Sequence, residues 1–172
     1  LGVLLIGTFL SVAVHNTATV TLPSIASEFG STLAEVQWVT IAIGLSAAAV
    51  AMPAGYLGDR YGRKQLFTAG MILLAGSSVA AGLAPSLGSL VIARGVQGIG
   101  TAMVGVTSIA IAVTLFPASD RGKVLGIPSA TVGFSALVAP AVGGILVDAL
   151  GWRWAYHALA VPAVVGGFGA WL

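Results

Sequence analysis

Long apolar stretches alternate with short polar breaks along the whole chain. Each apolar stretch holds roughly 20 residues, which is the length an α-helix needs to cross the hydrocarbon core of a bilayer. The breaks contain proline, glycine or charged residues, such as Pro23, Pro85 and Gly151. This pattern predicts six transmembrane helices, over residues 1–22, 38–57, 65–84, 87–116, 124–150 and 155–172.

The composition supports an all-α polytopic membrane protein. Hydrophobic residues make up 58% of the 172 residues and charged residues only 7%, whereas soluble domains carry about 25% charged residues. The chain has no cysteine, which excludes disulfides and thiolate metal sites. We predict no signal peptide, because the first residues lack a basic segment and a cleavage site. The apolar start and finish indicate a piece of a longer chain.

The placement of charge predicts the orientation. Five of the seven Lys and Arg residues lie in two short breaks, 58–64 and 117–123. The break after the first predicted helix instead carries the acids Glu28 and Glu35. Because basic loops stay on the cytoplasmic side, both breaks and both ends of this segment are expected to face the cytoplasm. The membrane is expected to be the plasma (inner) membrane.

The first basic break has an unusual arrangement of residues. Gly62 can adopt the positive φ that a sharp reversal needs. Asp59 follows the C-terminal end of a helix, where the helix dipole disfavours an anion, so we expect it to have a partner. Asp120 in the second basic break is a candidate partner for Arg63, although each side chain could equally be solvated.

The run Gly55-Tyr-Leu-Gly-Asp-Arg-Tyr-Gly-Arg-Lys64 resembles the signature G-x-L-a-D-r-x-G-r-(k/r) of the major facilitator superfamily (MFS). In that family the signature lies between transmembrane helices two and three. The alternative is an ordinary basic loop with a turn glycine, which explains the basic residues but not Asp59. The resemblance implies a loop that gates the cytoplasmic side through Gly55, Asp59, Arg60, Gly62, Arg63 and Lys64.

Arg94 lies inside the fourth apolar stretch. An arginine at the membrane centre costs about 2.5–3.5 kcal/mol on insertion scales, so it is expected to face protein or a water-filled cavity. The alternative is an arginine near the surface that extends outward to water. A polar stripe at helical spacing continues from it along one face of the helix, through Gln97, Thr101, Gly105 and Ser108.

The run Leu90 to Gly100 resembles the helix-four signature of the superfamily, l-x-x-x-R-x-x-q-G-x-g. In the family this arginine is associated with proton coupling, so the resemblance implies that role for Arg94. It also implies that Gln97 and Thr101 contribute to a cavity for substrate.

The first predicted helix is the most polar of the spans. His15 follows Ser11 by one helical turn and precedes Thr19 by another, with Asn16 beside it. An unperturbed histidine has a pKa of about 6.5, so small shifts let it exchange protons at working pH. Within the family, efflux proteins carry an acid in this helix, and that position falls on Val14 here. The resemblance therefore implies that His15 takes part in proton coupling and that Asn16 and Thr19 line the cavity. The alternative is that His15 only packs against a neighbouring helix through a hydrogen bond.

The fifth predicted helix is rich in small residues and proline. Small residues let helices approach closely, and proline bends them. The run from residue 135 to 144 resembles the antiporter signature g-x-x-x-G-P-x-x-G-G, with small-for-small changes at its first two glycines. Ordinary close packing is the alternative explanation. The residues concerned are Ser135, Ala139, Pro140, Gly143 and Gly144.

The resemblance as a whole covers all 172 residues. It implies the N-terminal six-helix half of an MFS transporter. The branch that the chain most resembles is that of the drug:proton antiporters with extra helices. The Trp152-Arg-Trp154 turn resembles one that is typical of that branch. The implied partners are a small-molecule substrate, protons, the lipid bilayer and a C-terminal half, with no cofactor, metal or nucleic acid. No phosphate-binding loop, zinc motif or nucleophile elbow indicates an enzyme.

The implied activity is proton-coupled efflux of small hydrophobic or cationic compounds by alternating access. A carrier for a different metabolite remains an alternative. A truncated half that does not transport, or a membrane interaction subunit, is a second alternative.

Overall fold

The computed structural model of the chain describes residues 2–115 and 121–171, and their side chains except at 115, 121, 123–125 and 171. Residues 116–120, which include Asp120, the candidate partner of Arg63, fall outside the described part. Within that part the fold is all-α, which confirms the predicted class. The helices are α1 (Gly2–Phe29), α2 (Leu33–Val36), α3 (Trp38–Tyr61), α4 (Arg63–Gly82), α5 (Leu87–Leu115), α6 (Arg121–Leu150) and α7 (Trp152–Trp171).

Several helices extend further than the sequence predicted, although α4 ends at Gly82, two residues before its predicted end. α1 continues through Pro23 to Phe29, so the prediction that this proline ends the first helix is wrong. A long membrane helix tolerates an internal proline because neighbouring groups can satisfy the backbone carbonyl it leaves free. In the signature loop, α3 and α4 are separated by the single residue Gly62. Its φ of 103° is positive, as predicted for the reversal.

The six long helices pack side by side. α5 lies between α3 and α4, and α4 contacts α7 on its other side. α1 packs against α5, α6 and α7 and so closes the bundle. We call the end with Gly62 the inner end and the end with Gly30, Pro85 and Gly151 the outer end.

Five segments of the described chain are long and apolar enough to cross a membrane. They are α1, α2 with α3, α4, α5 and α6. α7 is not among them, because Arg153, Tyr156 and His157 lower the hydropathy of its first two turns. The sixth predicted span therefore has the length of a transmembrane helix but a more polar outer end.

Two buried apolar clusters form the core. The inner cluster includes Phe67, Met71 and Val104, and the outer cluster includes Val39 and Trp152. Between them, the three helices α1, α4 and α5 contribute buried polar side chains at similar heights. We call these residues the polar layer: Thr17, Thr21, Ser77, Ser78, Arg94, Gln97 and Thr101.

The outer end is held by a cluster around Glu28. Its carboxylate accepts a hydrogen bond from Trp152 Nε1 at 2.5 Å and forms an ion pair with Arg153. The Arg153 guanidinium also donates to the carbonyl of Ala84 at 3.2 Å and lies 4.4 Å from the centroid of the Trp152 ring. These contacts join the outer ends of α1, α4 and α7.

We expect Glu28→Gln to lower the stability of the detergent-solubilised protein by about 1 kcal/mol. The effect is modest because the pair is partly exposed, with side-chain exposures of 37% and 42%. The thermal midpoint should fall by about 2–4 °C, less in 1 M salt. Glu35→Gln is the control, because glutamine can replace glutamate in the capping box of α2. Equal losses in both variants would contradict the contribution of the ion pair.

Candidate functional site

The polar layer is centred on Arg94, which is completely buried. Its Nε donates to the carbonyl of Val39 at 3.1 Å, and its Nη2 donates to the carbonyl of Val14 at 3.1 Å. The third contact is from Nη1 to Gln97 Oε1 at 2.6 Å. One side chain of α5 thus bonds to the backbones of α1 and α3.

The neighbours of Arg94 are fixed by further contacts. Gln97 Nε2 donates to Ser78 Oγ at 2.7 Å, which orients the amide oxygen towards the guanidinium and adds α4 to the network. The ring of Tyr156 lies 5.5 Å from Arg94 Cζ, within the range of a cation–π interaction. The Tyr156 hydroxyl lies 3.2 Å from Thr21 Oγ1, so α7 is tied to α1 at the same height.

These contacts decide between the two interpretations of Arg94. The guanidinium faces the interior of the bundle, as expected for an intramembrane charge, and does not extend outward to water. The ion pairs found among the described residues are Asp59–Arg63 and Glu28–Arg153, so the hydrogen-bond acceptors found for Arg94 are neutral. A buried cation without an anion is costly, and the three hydrogen bonds offset that cost.

Three further polar residues of α1, His15, Asn16 and Thr19, follow Val14 within five positions. His15 follows Val14, whose carbonyl binds Arg94, and its Nδ1 lies 3.3 Å from the carbonyl of Ser11. Asn16 is half-buried, and the exposed Thr19 donates to the Asn16 carbonyl at 2.7 Å.

At the inner end, the signature loop binds the end of α5. Arg63, at the start of α4, forms an ion pair at 2.9 Å with Asp59, which lies in the last turn of α3. The same guanidinium donates to the carbonyl of Ala110 at 2.9 Å and to Thr114 Oγ1 at 2.6 Å. Asp59 thus has the partner expected for it, and that partner joins α3, α4 and α5.

Arg60 points elsewhere. It donates to the Tyr56 hydroxyl at 3.2 Å, and its Cζ lies 5.4 Å from the centroid of the Tyr61 ring. The sequence grouped Arg60 with Asp59 and Arg63, but the structure separates its contacts from theirs. Lys64 is exposed, and Gly55 is half-buried.

α6 packs its small residues against α1. Ser135 is completely buried and donates to the carbonyl of Phe9 at 2.9 Å. A Cβ at Gly143 would lie 3.2 Å from Val20 of α1, tighter than ordinary contact. Ala139 is buried, whereas Pro140 and Gly144 are half-buried. The geometry shows the close packing that small residues permit.

A recess of about 260 Å³ opens between α1, α5 and α6 towards the inner end. Its described lining is mostly apolar and includes Leu5, Ile109 and Val132. Four residues with hydroxyl groups also line it, Thr8, Ser11, Ser108 and Ser129. We call this space the inner recess.

Comparison with known proteins places the chain in a family. A model of the Major Facilitator Superfamily matches residues 4–172. The chain belongs to this superfamily. It is 39% identical over 146 residues to the multidrug resistance protein Stp of Mycobacterium tuberculosis, covering 84% of this chain and 27% of Stp. It is 31% identical over 150 residues to the riboflavin transporter RibZ of Clostridioides difficile, covering 87% of this chain and 33% of RibZ.

The fold agrees with solved structures of the superfamily. The inward-open xylose transporter XylE from E. coli superposes with a TM-score of 0.88 at 18% identity, covering 98% of this chain and 46% of XylE. The chain therefore spans about half of this structural relative and a third or less of the two curated relatives. It is an integral multi-pass membrane segment of an MFS protein.

Two residues that contact the centre of the polar layer were not predicted from the sequence. Ser78 and Tyr156 hold Arg94 and Gln97, yet neither belongs to a superfamily motif described above. The only signal for Ser78 is a pair of serines in an apolar helix, and for Tyr156 an aromatic residue two positions after Trp154. Gln97 and Thr101 were predicted to face a cavity, but both are buried inside the bundle.

Proposed function

We propose that the full-length protein is a transporter of the plasma membrane that exports small hydrophobic or cationic compounds in exchange for protons. The observation that carries this proposal is the bond from Arg94 to the carbonyl of Val14, directly before His15. It ties the intramembrane cation to the backbone of α1 directly before the one titratable side chain near the middle of that helix. The similarity to Stp, a multidrug resistance protein, supports the choice of exported compounds.

In this proposal, His15 exchanges the proton and Arg94 senses its charge. A proton on the imidazole places a second cation near the guanidinium, and the two repel each other. That repulsion favours a conformation in which α1 and α5 move apart, so proton binding biases which side of the transporter is open. Asn16 and Thr19 would face the substrate path on the same helix.

The second half of the transporter would cover the helices that are least buried here. In the most apolar 18-residue stretch of the α2–α3 segment, only 17% is buried inside the bundle, and the share is the same in α6. In α4 and α5 the corresponding share is 50%. Because the inner recess opens beside α6, a partner packed on these two helices would enclose it. We propose that this partner is the C-terminal half of the same protein, which rocks against this half.

The contacts of Arg63 would act as a gate on the cytoplasmic side. We expect Arg63→Lys to slow transport about tenfold, because lysine lacks the planar fork that reaches Asp59, Ala110 and Thr114 together. Stability should change by less than about 1 kcal/mol, since the site is partly exposed. The measurement is the initial rate of efflux in proteoliposomes. Arg60→Lys is the matched control and should keep the wild-type rate, and equal slowing of both variants would count against a specific gate.

The proposed exchange can be tested with the complete protein in inside-out vesicles with an acidic interior. Adding a lipophilic cation should collapse the pH gradient, and His15→Gln should abolish the collapse. His157→Gln is the control, because His157 packs against Gly82 and Trp154 towards the outer end. No response in a folded wild-type protein, or full activity of His15→Gln, would overturn proton exchange through His15.

The similarity to RibZ favours one further candidate, a carrier for riboflavin or a related metabolite. Accumulation of riboflavin without any response to lipophilic cations would support that candidate. A native polypeptide with a mass close to the 17.1 kDa of this segment would instead favour a half that does not transport by itself.

A further inference from the structure

α4 and α7 run antiparallel and enclose a shallow groove on the surface of the bundle. Near the outer end the ring of His157 lies against Gly82, and further in the Met71 side chain lies against Gly167. These two contacts are ten or eleven residues apart on each helix, which corresponds to roughly 15 Å along the helix axes. We call the surface between the two helices, from His157 to Phe168, the α4–α7 groove.

The inner half of the α4–α7 groove is a recess of about 260 Å³ with an apolar lining. Its walls include Ile72, Val164 and Phe168, which are 59–68% exposed. The one polar side chain among the described lining residues is Thr68, whose hydroxyl donates to the carbonyl of Lys64 at 3.0 Å. This part of the groove therefore offers hydrocarbon contacts and no charge.

The α4–α7 groove lies on the side of the bundle that faces away from the proposed C-terminal half. α5 lies between α4 and α3, and α7 contacts α1, which packs against α6. The two helices that the second half is proposed to cover, α3 and α6, are therefore not walls of this groove. In the complete transporter the groove would still face lipid.

His157, at the outer end of the groove, has two ring nitrogens without a hydrogen-bond partner among the described residues. The residue is half-buried, but the buried nitrogen and oxygen atoms that lack a partner in the described part belong to Thr40 and Ser108. The ring nitrogens of His157 therefore reach the surface of the bundle. The hydrocarbon core supplies no partner for a polar group, so we expect one from the headgroup region of the bilayer.

The residues around His157 place it near the headgroup level. Trp154 is 54% exposed and packs edge-on against the imidazole, with ring centroids 5.7 Å apart, and tryptophan is enriched at that level of the membrane. Arg153 precedes His157 by one helical turn and lies on the same face of α7. It donates to the carbonyl of Ala84, so both side chains meet the outer end of α4. An imidazole N–H near a guanidinium favours an anionic oxygen as its acceptor.

We propose that the α4–α7 groove binds one phospholipid from the leaflet at the outer end. Its phosphate accepts a hydrogen bond from His157, and one acyl chain follows the groove inward to Phe168. Phe168 follows His157 by eleven residues, or roughly 16 Å, which matches half of the roughly 30 Å hydrocarbon core. Because Arg153 shares its charge with Glu28, the hydrogen bond and not the net charge of the headgroup sets the preference. The site is separate from the proposed exchange path and independent of the transported compound.

The test compares three lipids that carry the same acyl chains. They are dioleoyl phosphatidylcholine, dioleoyl phosphatidylglycerol and dioleoylglycerol, which keeps both ester groups but lacks the phosphate. Delipidated full-length protein in detergent is titrated with each lipid, and native mass spectrometry counts the bound lipids and the copies of the protein. Val164→Trp fills the recess, so the difference between wild type and this variant gives the occupancy of the α4–α7 groove.

We expect wild type to carry one phospholipid more than Val164→Trp at saturation. The groove should fill with either phospholipid at about one fifth of the concentration that dioleoylglycerol requires, the effect of one net hydrogen bond. His157→Phe should remove that difference, whereas His157→Gln should keep it because an amide can still donate. Val165→Trp is the matched control, because Val165 is 57% exposed but is not among the described lining residues. It should bind as many lipids as wild type.

The proposal would be wrong if dioleoylglycerol filled the groove as readily as the phospholipids, or if His157→Phe kept the preference. A strong preference for phosphatidylglycerol over phosphatidylcholine would show that net charge selects the lipid instead. Loss of a lipid in Val165→Trp, or no loss in Val164→Trp, would place the bound lipid elsewhere. A dimer that Val164→Trp dissociates would assign the groove to a second copy of the chain. Should Val164→Trp fail to fold, Ile72→Trp fills the recess from the α4 side.

Discussion

Arg94→Lys is expected to destabilise the protein more than Arg94→Met, although lysine keeps the positive charge. The guanidinium donates to three acceptors on different sides, the carbonyls of Val14 and Val39 and the amide of Gln97. An ammonium group is a point donor and cannot reach all three from the end of a shorter side chain. Lysine therefore leaves a buried charge with fewer partners, whereas methionine removes the charge together with the cost of burying it.

The expected loss for Arg94→Lys is about 3–5 kcal/mol, the range seen when a buried charge loses its partners. In a segment of this size that corresponds to a fall in thermal midpoint of about 10 °C. Arg94→Met should stay within about 2 kcal/mol of wild type, because the lost hydrogen bonds and the relieved desolvation oppose each other. The measurement is the thermal midpoint of the full-length protein in detergent, followed by size-exclusion chromatography.

Arg60→Lys is the matched control, because Arg60 is an exposed arginine at the inner end with a single hydrogen bond. It should shift the midpoint by no more than 1–2 °C, since exposed charges contribute little. If Arg94→Lys proved as stable as wild type, or more stable than Arg94→Met, the three-acceptor description of Arg94 would be wrong. Both variants at Arg94 should lose proton exchange, which separates the functional role from the effect on stability.

Gly98→Ala is expected to prevent close packing of α3 on α5. A Cβ at this position would overlap with the carbonyl oxygen of Ile43 and the hydroxyl of Ser46, and would lie 3.1 Å from the Ile43 carbonyl carbon. Two of these three atoms belong to the backbone, so rotating a side chain cannot relieve the contact. The helices must separate, and overpacking of this kind costs about 1–3 kcal/mol or more.

Gly95→Ala on the same helix provides the control, because a Cβ there would meet no atom within 4 Å. Alanine in a helix interior is favoured over glycine by about 0.5–1 kcal/mol, so this variant should be as stable as wild type or slightly more stable. The measurements are the yield of monodisperse protein and its thermal midpoint. A Gly98→Ala variant as stable as Gly95→Ala would show that α3 and α5 do not approach as closely as described.

The sequence by itself determined the class of the protein, the number of long helices and the sharp reversal at Gly62. It could do so because these features depend on local properties, namely apolar length, the scarcity of charge and the freedom of glycine to adopt positive φ. The signature residues also gave the superfamily. The residue roles in coupling, gating and the cavity stay predictions.

The tertiary structure decided which groups meet. Arg94 finds its acceptors 80 and 55 residues away, at the backbone carbonyls of Val14 and Val39, and a carbonyl has no residue-specific signal in the sequence. The ring of Tyr156 reaches the same guanidinium only because α7 packs beside α1. The path of α1 through Pro23 also depended on tertiary packing, because this helix contacts α5, α6 and α7. Apolar periodicity fixes that a helix forms, but the identity of a buried polar partner depends on how the helices are packed.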